Sequence, residues 1–228
     1  MKDAARRANL MKAHQRLVEE LVQTPPARLR RGLDPRVQWI LWFGLMVLAL
    51  AGLVLFLGPR PGLWLDIQKP GFGIFFALVL VGGALSAWGA ILSGIPGRSM
   101  AAWQKAILGF ALAGLVLSPF VFFPAVAPDV DGSRLDDDWC FPLVLAVGFL
   151  PWVGLGSILA RNASFRPALT GVFSGTSAFL MASGALYLCC PCWTRGHILM
   201  AHLLPVALAS FATAFLGSYW FSRWMKKS

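Results

Sequence analysis

Six stretches of about 20 apolar residues, each the length that crosses a hydrocarbon layer roughly 30 Å thick, constrain this chain more than any other feature. They run at about Val37–Leu57, Phe72–Ser93, Ala106–Ala127, Phe141–Ala160, Ala168–Leu188 and Ile198–Ser222. Clusters rich in Gly, Pro and Arg separate them: Pro59-Arg60-Pro61-Gly62, Gly94 to Arg98, Pro128 onward, Arg161 to Pro167, and Cys189 to His197. Helices are the expected form, since an open sheet would leave backbone groups unpaired in lipid. The balance of residues agrees: 57% of the 228 are hydrophobic and only 13% charged, too few to cover a soluble surface. The reading is an all-α polytopic membrane protein with six transmembrane helices. The first apolar stretch follows a long polar segment and has no small-residue cleavage site after it, so it is expected to stay in the membrane.

Lys and Arg set the expected orientation. Nine stand before the first span: Lys2, Arg6, Arg7, Lys12, Arg16, Arg28, Arg30, Arg31 and Arg36. With Arg98, Lys105, Arg161, Arg166, Arg223, Lys226 and Lys227 they make sixteen on one side. The other side has Arg60, Lys69, Arg134 and Arg195. Both termini are therefore expected in the cytoplasm of a bacterial cell, with the protein in the inner membrane. The formal net charge of +10 then reflects topology and attraction to lipid headgroups rather than direct nucleic-acid binding. Three regions follow: a cytoplasmic partner-binding segment 1–36, a six-helix transmembrane sensor domain 37–222, and a basic cytoplasmic tail 223–228. Within the spans, Gly82-Gly83, Gly89 and the G-x-x-x-G of Gly171 and Gly175 read as helix packing. Pro119, Pro124, Pro151 and Pro205 are candidate kinks. Trp39, Trp64, Trp103, Trp139, Trp193, Trp220 and Trp224 fall near predicted interfaces, where an aromatic belt would put them. Lys, Arg, Asp and Glu fall in the loops, which disfavours pumps and charged-substrate carriers.

Chemistry concentrates at the outer ends of three spans. Cys140 opens the fourth, just after Asp136, Asp137 and Asp138; Cys189, Cys190 and Cys192 follow the fifth; His197 and His202 open the sixth. Topology alone brings four thiols and two imidazoles to one membrane face. Such donors suit Cu(I), Zn(II) or another thiophilic ion of the cadmium type, with Asp138 a possible completing carboxylate. Alternatively, Cys140 pairs with a later cysteine in an oxidising compartment, or the C-x-x-C of Cys189 and Cys192 exchanges disulfides. Any one of these residues alone has a bland reading, because Cys at a helix end is often only a small apolar side chain. No cofactor is required; a regulatory soft metal ion is the candidate ligand.

Residues 4–22 read as an amphipathic helix, with Leu10, Met11, His14, Leu17, Val18, Leu21 and Val22 recurring at three- and four-residue steps. Its apolar stripe suits a partner's groove or the anionic inner leaflet. Thr24-Pro25-Pro26 ends it.

The order of several short motifs resembles the NrsF-type membrane anti-sigma factors. They are Leu17-Val18-Glu19-Glu20-Leu21 with Pro25-Pro26 and Leu29-Arg30-Arg31; Pro96-Gly97-Arg98-Ser99; Asp138-Trp139-Cys140; Arg166-Pro167-Ala168-Leu169-Thr170-Gly171; and Leu188-Cys189-Cys190-Pro191 with His197, His202 and Pro205. The resemblance implies a non-enzymatic regulator that holds an extracytoplasmic-function sigma factor at the inner membrane. It implies cytoplasmic binding of the sigma factor by the N-terminal segment; Leu10, His14, Leu17, Val18, Leu21 and Val22 are the residues expected to make it. It also implies periplasmic sensing of heavy-metal or redox stress through two cysteines, which match Cys140 and Cys190. The chain departs from the family pattern at Cys189, where His is usual, and Cys192 is an extra thiol. Two rivals stand beside this reading: a membrane thiol–disulfide oxidoreductase using Cys189 and Cys192, and a soft-metal uptake protein with the cysteines as an entry relay.

Overall fold

The computed structural model describes residues 33–95, 97–124, 139–159, 166–190, 192 and 194–225, the last six of these by backbone alone. In chain order the helices are α1 (Pro35–Leu57), the short α2 (Leu63–Asp66), α3 (Pro70–Ser93), α4 (Ala102–Phe122), α5 (Cys140–Leu159) and α6 (Pro167–Cys189). A final run joins α7 (Arg195–His197), a π-helical turn (Ile198–Leu203) and α8 (Leu204–Met225). Six helical runs are long and apolar enough to cross a membrane, the last of them spanning Arg195–Tyr219. The chain is a multi-pass membrane protein, and the described residues contain no strand.

Local chemistry explains the helix ends. Pro35, Pro70 and Pro167 open α1, α3 and α6, where a missing N–H leaves nothing unpaired. Asp34 caps α1 by accepting from the Arg36 N–H at 2.8 Å. The third span begins earlier than expected because Gln104 Oε1 accepts from the Ala101 N–H at 2.9 Å. It also ends earlier, with Phe123 extended ahead of Pro124. Pro124, expected as a kink, therefore lies beyond its helix, whereas Pro119 and Pro151 are inside theirs.

The least hydropathic of the six spans, α6, occupies the centre. It is buried along almost its whole length against α8, α3, α5 and α1. The most apolar, α1, is the most exposed. This order suits lipid, where apolar side chains gain nothing by leaving the acyl chains, so close approach and polar contacts hold helices together. Small residues fill α6 from Gly171 to Ala185. Hydroxyls bridge the helices: Ser177 donates to the Gly83 carbonyl at 2.7 Å, Thr176 to Ser210 at 2.9 Å, and Ser93 and Thr170 share a bond of 2.9 Å. The G-x-x-x-G is a packing surface, as read from sequence. A methyl group on Gly171 would strike the Thr213 backbone, and one on Gly175 the Thr213 side chain. Trp64, Trp103 and Trp139 are exposed in the manner of a belt, while Trp39 is half-buried and donates to the Ala84 carbonyl at 3.1 Å.

Because the spans alternate in direction, the end of α1, the start of α3, the end of α4, the start of α5, the end of α6 and the start of the last run meet at one end. Contacts there confirm the gathering. The Arg60 N–H donates to the Leu188 carbonyl at 3.0 Å and the Arg195 N–H to the Pro124 carbonyl at 2.9 Å. Tyr187 packs against Phe72, Phe75 and Phe123 at centroid separations of 4.9, 4.8 and 6.2 Å.

Gly171→Ala forces a methyl group onto backbone that cannot swing aside, and is expected to cost about 1–3 kcal/mol. Gly156→Ala, with open space around it, is the control. Thermal unfolding of both in detergent checks this: only Gly171→Ala lowers the midpoint.

Candidate metal and thiol site

Cys140 is the first residue of α5, and the side chain is fully buried. Cys190 is the first residue past α6, in extended backbone, also fully buried. Consecutive helical residues point about 100° apart, so Cys189 and Cys190 cannot both face one point. The break in the helix turns Cys190 toward Cys140, and the two sulfurs share a hydrogen bond at 3.2 Å. Cys190 Sγ also lies 3.1 Å from His197 Nε2 and 3.5 Å from the Cys192 carbonyl oxygen. Thr194 holds α7 in place by accepting from the His197 N–H at 3.2 Å.

His202 joins the group because the helix carrying it is irregular. In an α-helix, residues five apart lie on different faces; the π-turn, with its i→i+5 bonds, brings them nearly into line. The Leu204 N–H donates to the Leu199 carbonyl, five residues back. Pro205 accounts for the irregularity, since its ring clashes with the carbonyl of Ala201 in a regular α-turn and it has no N–H to offer. The two imidazoles consequently meet edge to face with centroids 5.3 Å apart. His202 is fully buried, and neither ring nitrogen has a hydrogen-bond partner among the described residues.

Cys140, Cys190, His197 and His202 thus present one ligand atom each, all within 4.8 Å of one another. Donors around a tetrahedral ion with bonds near 2.0–2.3 Å lie roughly 3–4 Å apart, so the set closes if the widest pair contracts by about 1 Å and the two sulfurs part by about half that. Two sulfurs and two nitrogens are a soft donor set suited to zinc, cadmium or copper. The orphaned His202 is the independent sign of fit, because a buried imidazole with no partner is stabilised by an ion. The hydrogen bond with Cys140 and burial hold the Cys190 thiol well above the ordinary thiol range. An incoming ion must displace that proton.

Not every expected residue belongs to the set. Cys189 is buried at the end of α6 outside it, and Cys192 packs against its edge without supplying a ligand atom. The C-x-x-C of Cys189 and Cys192 is not the pair the fold brings together; Cys140 and Cys190 are. Asp138, and the N-terminal Leu10, His14, Leu17, Val18, Leu21 and Val22, lie outside the described residues.

One part of the surroundings went unread in the sequence. Gly58 and Gly62, at φ +81° and +75°, let the first loop turn back so that Arg60 enters the fold. Its guanidinium, 1% exposed, pairs with Asp66 at 2.9 Å and reaches the Cys190 carbonyl at 3.5 Å. Phe72 and Tyr187 lie beside it at 5.1 and 5.4 Å from ring centroid to guanidinium. Asp66 is held in turn by Lys69 at 2.7 Å. The usable signal was a lone Arg between two prolines with an Asp six residues on, both close to apolar Leu63, Trp64 and Leu65.

Residues 17–224 match the family described as NrsF, negative regulator of sigma F. Among curated proteins and among solved structures, none matches the chain.

Cobalt(II) titration of the purified, reduced chain is expected to give the intense thiolate and visible bands of a tetrahedral site. His202→Ala removes a ligand, and is expected to weaken binding beyond the 10–100-fold that loss of a mere outer-shell partner costs. Apparent affinity is expected to rise with pH, since the proton on the Cys190 sulfur is displaced less readily in acid. Unchanged affinity in His202→Ala would remove it from the set.

Proposed function

Since this chain belongs to the NrsF family of negative regulators of a sigma factor, we propose that it sequesters an extracytoplasmic-function sigma factor at the bacterial inner membrane. Release follows when the Cys140–Cys190–His197–His202 cluster takes up a soft metal ion or its two thiols are oxidised. The N-terminal segment is the cytoplasmic grip, with Leu10, His14, Leu17, Val18, Leu21 and Val22 in an apolar groove of the sigma factor. The cluster faces the periplasm, as the Lys and Arg distribution favours. The protein acts by binding and conformational change, not by catalysis.

One observation carries the sensing part. Four soft donors converge from the starts or ends of three spans, so a ligand that re-spaces them changes how α5, α6 and the last run pack. Oxidation reaches a related state: an electrophilic oxidant accepts two electrons, both thiols lose their protons, and a sulfur–sulfur bond joins α5 to the end of α6. Moving a regulator from mostly holding to mostly free takes about 5.5 kcal/mol of differential binding, within the range of structural soft-metal ligation. The burial of the set favours a sensor over an exchange catalyst, which needs an accessible thiolate. The absence of further Cys along the spans disfavours an uptake relay.

Residues 1–36, attached to a resin, are expected to retain one sigma factor encoded in the same genome. Retention of none removes the anti-sigma reading. Cys140→Ser and Cys190→Ser are each expected to leave the target genes silent under cadmium stress; normal induction in both would sink the sensor. In intact cells, an impermeant maleimide is expected to label the half-buried Cys192 from outside, and protection of it there would reverse the orientation.

A further inference from the structure

A signal at the cluster must reach residues 1–33, and the chain attaches them to one span only, α1. The packing of α1 is uneven. Its fully buried side chains, Pro35, Gln38, Trp42 and Met46, all lie in its first half, where Trp39 is also bonded to α3. Beyond Met46 no side chain of α1 is buried; Leu50, Leu53, Val54 and Leu57 are half-buried, with Leu50, Leu53 and Leu57 against the core. Three residues beyond Leu57 stands Arg60. Its N–H takes the orphan carbonyl of Leu188 at the end of α6, its guanidinium reaches the carbonyl of Cys190, and Asp66 fixes the fork from below. Arg60 and Asp66 are the buried charges of the described residues. In a membrane protein such charges are retained for a task.

We propose that Arg60 is the coupling residue that ties the far end of α1 to the Leu188–Cys190 backbone, so that a ligand or bond that re-spaces Cys190 against Cys140 and the histidines moves α1. The guanidinium suits this position because its planar fork bonds a carboxylate and a carbonyl at once, which a lysine ammonium on a flexible stem does not reproduce. The lightly packed half of α1 allows the shift, and its well-packed first half passes the motion to the attached segment. What that motion achieves in the cell rests on the anti-sigma reading above; the latch itself does not, and is read on the purified chain.

The experiment places non-cysteine spin labels at the exposed Leu55 on α1 and Val121 on α4, leaving every native thiol in place, in the full-length chain in detergent. Cadmium is expected to shift the label separation by on the order of 2 Å, the scale of helix shifts in switching proteins. Arg60→Lys keeps a positive charge beside Asp66 and loses the arm to Cys190. It is expected to bind cadmium as the wild type does and to show a clearly smaller shift, the backbone bond from residue 60 to Leu188 being all that remains of the tie. Arg60→Gln, the harsher change, is expected to behave alike if folded, and Asp66→Asn to reproduce it by freeing the fork. A shift in Arg60→Lys equal to that of the wild type overturns the proposal, as does bound cadmium with no shift in the wild type. Loss of cadmium binding in Arg60→Lys also overturns it, leaving Arg60 a support for the site alone. If the wild type neither binds cadmium nor forms the Cys140–Cys190 bond with diamide, the sensor reading falls and the latch has no signal to carry.

Discussion

Everything in this fold follows from helices that gain nothing by hiding apolar side chains from lipid. What remains to hold six of them together is close approach and buried polar contact, and both are concentrated in α6. Gly171 and Gly175 let α8 lie against it, Ser177 bonds to α3, and Thr176 bonds to α8. The inverted ranking, with the least apolar span innermost and α1 outermost, is the signature of that constraint. A consequence is that the last residues of α6 are positioned by most of the bundle. Cys190, one residue beyond, inherits that placement.

The spans were legible because length and apolarity are all that a bilayer demands. The convergence of Cys140 with the later Cys and His residues was legible too, since alternation of direction alone puts them at one end. Less could be read about which donors meet. The family resemblance pointed to Cys190 over Cys189, but its physical reason lies in where α6 stops, a matter of one residue. Bringing His202 beside His197 depends on a π-turn that a regular helical reading would not produce, although Pro205 three residues on was its visible cause. Arg60 escaped because it was counted as a loop charge. Nothing in local composition says that a loop folds inward, and only the pairing with Asp66 makes its burial tolerable.

As a family member this chain regulates a sigma factor, and the arrangement suggests why a membrane scaffold suits that task. A central helix buried along almost its whole length gives the cluster a fixed reference, while the second half of α1 is only half-buried. The four donors come from separate stretches, so a group that engaged all of them would join α5, the end of α6 and the last run.

The π-turn has an evolutionary corollary. Such a turn is an α-helix carrying one surplus residue, so a single-residue deletion between Ile198 and Leu203 would mend the ladder. The contacts of Thr213 and Gly217 with α6 lie downstream and keep their register. A change of one codon would therefore bring the second imidazole into the cluster or take it out, while the architecture is inherited intact.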